Sequence, residues 1–320
     1  MNYRRLGKTG LKISEFSYGS WVTFANQLKL DDATEMMKIA YENGINFFDN
    51  AEVYAAGKSE LIMGDVLKRL GWTRDSYIVS SKVFWGGDKP TQRGLSHKHI
   101  IDACNNALKR LQLDYLDLYF CHRPDPDTPI EESVRAMHTL IMQGKVCYWG
   151  TSEWPASEIK KAFEIAYKFN LTPPSMEQPE YNMFDRKKME VDYVPLFEEY
   201  GLGTTTWSPL ASGVLTGKYM NGVPSGTRTE IGNFKFIKDR IESEEYKPRH
   251  EMVKKLSNLS KEIGMPLVNM ALCWCLKNKN VSTVILGASK QEQLKQNLQS
   301  IKTFDLMDES VMENIAKIIN

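Results

Sequence analysis

An acid, a phenol and an amine stand close together in the first quarter of the chain. Asp49 follows the apolar pair Phe47-Phe48, Tyr54 lies five residues on, and Lys82 ends the run Tyr77-Ile78-Val79-Ser80-Ser81. His122 ends a fourth such position, after Tyr115 to Cys121. These four residue types suit the reduction of a carbonyl group. A carbonyl carbon that accepts a hydride leaves an alkoxide, which must take up a proton. Tyrosine, with an ordinary pKa of about 10, is a poor donor until its phenolate is stabilised. A lysine ammonium beside the phenol does that, an aspartate keeps the ammonium charged and oriented, and a histidine hydrogen-bonds the carbonyl oxygen. In this reading Tyr54 is the general acid, with Asp49, Lys82 and His122 tuning it.

Such groups must be delivered to one end of neighbouring strands, and the chain has the alternation to do it. Period-2 and β-rich runs predict strands over 16–19, 45–48, 77–81, 115–121, 146–150, 175–178, 203–207 and 283–286. Between and after them, apolar residues at 3.6 spacing predict helices, with stops at Gly44, Gly71 and Gly144. Residues 3–13 read as a hairpin with a glycine-rich turn. The stretch 212–247, with Gly213, Gly217, Gly222, Gly226 and Gly232, reads as irregular, a lid or a disordered insertion. The expected fold is α/β: one (β/α)8 TIM barrel over residues 1–320, its bottom closed by the N-terminal hairpin, with a C-terminal helix over 308–319. A doubly wound sheet would want a G-x-G-x-x-G turn between an early strand and a helix. Gly7-Lys8-Thr9-Gly10 leads into no helix and is not that turn.

Composition narrows the function classes. With 42% hydrophobic residues, the 320-residue chain can bury one sizeable core. Lys+Arg 41 against Asp+Glu 40 gives a net charge of +1, so no global field favours nucleic acid or an anionic membrane. The longest apolar run, 268–276, is interrupted by Asn269 and is too short to insert into a membrane. No signal-peptide pattern opens the chain, and a cytoplasmic protein is the expectation. The five cysteines are scattered, Cys273-Trp274-Cys275 lacks C-x-x-C spacing, and the five histidines form no H-x-x-x-H pair, so no metal site is expected.

The pattern Asn46-x-Phe48-Asp49-x4-Tyr54, taken with Lys82 and His122, resembles the aldo-keto reductases and their catalytic tetrad. The chain is most similar to the potassium-channel beta-subunit branch of that family. The blocks that carry this are Phe48 through Lys58, Phe84-Trp85-Gly86-Gly87, Arg93-Gly94-Leu95-Ser96, Arg123-Pro124-Asp125-Pro126, Glu180-Tyr181-Asn182-Met183-Phe184 and Trp207-Ser208-Pro209-Leu210. The resemblance implies NADPH, extended over the C-terminal mouth of the barrel without a Rossmann fold. The positions it assigns to that cofactor include Ser20, Trp21 and Gln27 after the first strand, Asp49, and Ser152 and Gln178 at later strand ends. Trp207, Ser208, Leu210 and Ser212 follow, with Lys218 and Arg228 in the glycine-rich stretch as a latch, and Gly287, Ser289, Gln293 and Asn297 near a helix start. Lys290 is a candidate for a 2′-phosphate. The implied substrate is a small carbonyl compound, for which Phe24, Tyr54, Trp85 and Trp154 are candidate aromatic walls, and the implied assembly is a homotetramer. The alternative is a channel-associated beta subunit that uses bound NADPH as a redox sensor and meets a channel's cytoplasmic domain. Four positions depart from that branch. His122 stands where it carries Asn, which favours the working enzyme; Ser212 and Gly226 replace larger or thiol side chains; and Glu153 stands where Arg is common.

Overall fold

A computed structural model describes residues 1–320 apart from positions 22, 26, 221 and 223–234. The chain opens with an antiparallel hairpin, β1 (Tyr3–Arg5) and β2 (Lys12–Ser14). Eight parallel strands follow: β3 (Phe16–Gly19), β4 (Phe47–Asp49), β5 (Ile78–Val83), β6 (Leu116–Cys121), β7 (Val146–Ser152), β8 (Met176–Gln178), β9 (Gly203–Thr206) and β10 (Thr283–Leu286). Each pairs with the next in sequence, and β10 pairs back onto β3 to close the barrel. The (β/α)8 architecture expected from the alternation is the one observed.

Helices connect the strands on the outside. They are α1 (Leu30–Glu42), α2 (Lys58–Leu70), α3 (His97–Leu111), α4 (Ile130–Met142), α5 (Ala156–Lys168), α6 (Val194–Tyr200), α7 (Lys235–Glu242), α8 (Lys247–Glu262), α9 (Leu267–Lys277), α10 (Gln291–Leu298), α11 (Ser300–Thr303) and the terminal α12 (Glu309–Ile319). Their ends follow local chemistry. Ser96 Oγ accepts from His99 N–H to start α3, and Asp308 does the same for Val311 N–H to start α12. Gly71, with φ +61°, ends α2. The helix α7 is a difference from the sequence reading, which took 212–247 as irregular throughout. Lys235–Glu242 contains neither Gly nor Pro, but the glycines before it dominated the composition of the window.

Strand alternation divides the apolar side chains into two layers. Phe48, Val79, Tyr119, Trp149 and Val284 face outward into the large core between barrel and helices. Phe47, Ile78, Leu118, Phe120, Met176 and Ile285 form a separate cluster inside the barrel, joined by Leu6 and Ile13 from the hairpin. Those two hairpin residues are wholly buried and plug the end where the strands begin. The plug is fastened by Lys8 N–H donating to Gly201 O at 2.8 Å. With one end filled by apolar side chains, polar groups gather at the other.

The seal has a testable weak point at Gly7. Its φ is +55°, and a Cβ there would lie 2.4 Å from both Gly201 O and Gly203 N. Gly10, in the same turn, has only Arg5 Nη1 nearby, at 3.8 Å. Gly7→Ala is expected to lose about 2–4 kcal/mol from the left-handed backbone and the overlap together. Gly10→Ala serves as the near-neutral control, and thermal melts of the two variants check the difference.

Candidate active site

Asp49 is the last residue of β4, and Lys82 lies one residue before the end of β5, the neighbouring strand. The sequence reading placed Lys82 just after its strand; β5 continues through Val83. Ile78, Ser80 and Lys82 share the inward face of β5 by alternation. Lys82 is wholly buried, and its Nζ meets three acceptors: Asp49 Oδ2 at 2.7 Å, Asn50 O at 2.8 Å and Tyr54 Oη at 3.1 Å. An ammonium has three N–H donors, and each of these has a partner. The other aspartate oxygen, Oδ1, accepts from Ser80 Oγ at 2.8 Å and from Gln178 Nε2 at 3.1 Å. Gln178 Nε2 also reaches Thr205 Oγ1 at 3.1 Å, so the polar layer extends from β4 and β5 to β8 and β9.

Tyr54 opens a turn whose next two residues, Ala55 and Ala56, have φ of +50° and +53°. Such conformations are costly for residues with a Cβ and gather where function demands them. Others stand at this same mouth: Ala25, Glu153, Ser208, Ala211 and Ser212 all have positive φ. His122, just past β6, lies edge-on to Tyr54, with ring centroids 5.9 Å apart, and edge-on to Trp85 at 5.2 Å. Arg123 stands over Trp85, 5.6 Å from the ring centre, and donates to His122 O at 2.5 Å.

The electrostatics follow from burial. Desolvation, then the charges of Lys82 and Arg123, hold His122 well below its ordinary pKa, so the imidazole is neutral near pH 7. Its Nδ1 is buried with no partner among the described residues, a polar atom left for a ligand or water to satisfy. Burial also lowers Lys82, against the opposing pull of Asp49. Tyr54 differs from expectation. Its pKa is raised well above 10, first by burial and then by the charge of Asp49. The lysine therefore does not make the resting phenol acidic; it accompanies a phenol that stays protonated.

The profile of the Aldo/keto reductase family matches residues 15–320. The chain belongs to the aldo/keto reductase family. It is also 46% identical, over all 320 of its residues and 97% of the relative's length, to a protein described as "Probable voltage-gated potassium channel subunit beta" from Oryza sativa subsp. japonica. The family is one of oxidoreductases that act on small carbonyl compounds and bind a nicotinamide dinucleotide. Among the described residues of this aldo/keto reductase, no helix is long and apolar enough to cross a membrane.

The positions that the resemblance assigned to a dinucleotide fall into two sets. Ser20, Ser152 and Gln178 are buried and already hydrogen-bonded within the protein: Ser20 Oγ to Asp49 O at 2.9 Å, and Ser152 Oγ to Gln178 O at 2.9 Å. They brace the tetrad layer. The second set rims the mouth. Trp21 and Trp207 meet edge to face at 6.2 Å, and Ser208, Leu210 and Ser212 line the strained turn that follows β9. Lys218 is exposed beside them, while Arg228 lies outside the described residues. Across the mouth, Gly287 is exposed and a Cβ on it would meet nothing, Ser289 N–H bonds Gln293 Oε1 at 3.1 Å, and Asn297 is buried on α10. The first turn of α10 begins at Lys290 and has no side-chain cap, so its N–H groups suit a phosphate. Gln27 is exposed on the loop after β3. The half-buried Trp207 ring, the uncapped helix start and the orphaned His122 nitrogen are chemically suited to the rings and phosphates of a nicotinamide dinucleotide.

Of the expected aromatic wall, Trp85 stands at the site edge-on to His122, whereas Phe24 and Trp154 are almost wholly buried in the outer core. The sequence reading missed Ser80 and Arg123 as members of the site. Strand parity could have found Ser80, two residues before Lys82 on the same face.

Because burial and the charges of Lys82 and Arg123 hold His122 well below the ordinary imidazole range, its proton uptake is not expected to shape activity between pH 6 and 8. His122→Asn is expected to lower kcat/KM for an aldehyde by about tenfold, the loss of one hydrogen bond of roughly 1.4 kcal/mol. The profile of kcat/KM between pH 6 and 8 should keep its shape. A limb in that range that vanishes with the histidine would contradict a neutral ring.

Proposed function

We propose that this chain reduces aldehydes and ketones to alcohols with NADPH, and that Tyr54 is the general acid. One observation carries the reading: Lys82 Nζ gives its three hydrogens to Asp49, Asn50 and Tyr54. Since lysine donates to the phenol oxygen, the phenol's own hydrogen points away from Lys82, free to meet a substrate. Reduced nicotinamide, when bound, supplies the hydride.

The chain's residues do the rest. The neutral His122 ring and the Tyr54 hydroxyl together hold the carbonyl oxygen, and Trp85 closes one side of its approach. As charge develops on that oxygen, the proton moves from Tyr54 Oη to it. An alkoxide is intrinsically a far stronger base than a phenolate, and it develops in the same desolvated site, so burial raises both and the proton still passes from the phenol to the alkoxide. The phenolate left behind lies 3.1 Å from the Lys82 ammonium, which stabilises it in a low-dielectric setting at little reorganisation cost. Asp49, braced by Ser80 and Gln178, keeps that ammonium in place. Trp207 and Gln178 would hold the nicotinamide end, the Ser208–Ser212 turn and Lys218 the pyrophosphate, and the first turn of α10, with Ser289, Lys290, Gln293 and Asn297, the adenosine phosphate. The Lys290 side chain, exposed at this point, favours the phosphorylated dinucleotide.

A second reading, a channel-associated subunit holding the same cofactor, is favoured by the name of the relative from Oryza sativa. Steady-state turnover of an aromatic aldehyde with NADPH separates the two. Tyr54→Phe should lower kcat by about 10²–10⁴-fold, the range of a lost general acid, with NADPH affinity unchanged within about threefold. Aldehyde reduction that survives this change at the wild-type rate would remove Tyr54 from the proton-donor role.

A further inference from the structure

Glu153 sits directly after β7 in a left-handed conformation, φ +62°, that a residue with a Cβ adopts only when its surroundings impose it. Its surroundings do so through the side chain. Glu153 Oε1 accepts from the indole Nε1–H of Trp207 at 3.0 Å and from Glu180 N–H at 2.5 Å. Oε2 pairs with Lys188, whose Nζ also donates to Glu153 O at 3.2 Å. Lys188 opens a single π-helical turn, Lys188–Asp192, a rare distortion that often marks functional positions. One carboxylate thus gathers donors from three separate segments: Glu180, two residues beyond β8, Trp207, directly after β9, and the π turn.

The indole it holds is the consequential partner. Trp207 packs on the apolar cluster inside the barrel and stays half-buried at the mouth. Its backbone is already tied on both sides, N–H to Pro179 O and O to Tyr181 N–H, both at 3.1 Å. The strand extension therefore fixes where Trp207 begins but not how its ring is turned. The edge contact with Trp21 and the bond from Nε1 to Glu153 decide that. A charged acceptor on an indole N–H is a stronger and more directional tether than packing alone.

We propose that Glu153 is a positioning residue, whose carboxylate clamps the Trp207 indole so that a fixed aromatic face is presented at the mouth to the nicotinamide ring. The proposal rests on the reading that this mouth binds a nicotinamide dinucleotide. It assigns Glu153 no contact with the reacting atoms. The clamp keeps the platform ready before the ligand arrives, which raises affinity by removing an ordering cost.

The test reads binding and ring orientation, neither of which needs turnover. In protein labelled with ¹⁵N-tryptophan, the Trp207 indole resonance is assigned by its loss in Trp207→Phe. Glu153→Gln, which keeps an acceptor oxygen but not the charge, and Glu153→Ala should both move that resonance upfield. NADPH affinity, measured by direct titration, should fall by about tenfold in Glu153→Ala, the size of one charge-assisted hydrogen bond lost. In the Trp207→Phe background the same Glu153 change should have less than about a twofold further effect, since groups acting through one contact are not additive. Full additivity, or an unmoved indole resonance, overturns the clamp. Should Glu153→Ala fail to fold, Glu153→Gln carries the same cycle. If the wild type binds NADPH tightly yet reduces no aldehyde, the proposed reaction fails while the clamp is still judged by the titrations.

Discussion

A charged lysine with no contact to water is the constraint around which this barrel is arranged. Taking an ammonium and a carboxylate out of solvent carries a penalty of several kcal/mol per ion, and the mutual attraction offsets it only when every remaining donor and acceptor is satisfied. Lys82 and Asp49 meet that condition. The ammonium has its three acceptors, and both aspartate oxygens are filled by Lys82, Ser80 and Gln178. One of the three acceptors is a phenol. Since the lysine uses a hydrogen to reach it, Tyr54 keeps its own hydrogen pointed elsewhere, and the requirement for complete satisfaction at once aims a proton donor.

The barrel makes this arrangement stable by separating apolar from polar ends. Leu6 and Ile13 fill the end where the strands start, and the next layer is Phe47, Ile78, Leu118 and Met176. The polar inward positions at the far ends of the strands are Asp49, Ser80, Lys82, Gln178 and Thr205, already linked to one another. Backbone strain is concentrated at the same end. The left-handed residues Ala55, Ala56, Glu153, Ser208, Ala211 and Ser212 all lie in turns that leave strand ends. Of the other non-glycine residues of this kind that the structure describes, Gln112 and Asn170 sit at helix ends, where that conformation is ordinary.

Much of this was legible in the sequence, and for identifiable reasons. Alternation of β-rich runs with 3.6-period stretches specified the barrel, and the strand over 283–286 was placed to the residue. Asp49, Tyr54, Lys82 and His122 were visible because they fall at strand ends in a topology that gathers such ends. What escaped depends on three-dimensional packing. Ser80 is an unremarked serine until strand parity sets it under Asp49. Glu153 was visible only as a departure, and its carboxylate finds Trp207, Glu180 and Lys188 across 54 residues of chain or fewer. The direction of the Tyr54 shift was misjudged because a nearby lysine can be read from spacing, whereas the desolvation of the phenol by its neighbours in the fold cannot. The helix Lys235–Glu242 was hidden by its glycine-rich neighbourhood.

The account stands or falls on whether the buried pair serves the phenol or merely the fold, and a paired substitution separates the two. Lys82→Met alone leaves Asp49 buried without its counter-charge, and stability should fall by about 3–5 kcal/mol. Adding Asp49→Asn removes the stranded charge, so denaturant unfolding of the double variant should recover most of that loss. Aldehyde turnover should not recover with it, and the account predicts a double variant that is folded and retains less than about one hundredth of wild-type kcat, within the range of a general acid left without support. A refolded double variant that reduces aldehydes at close to the wild-type rate would contradict it.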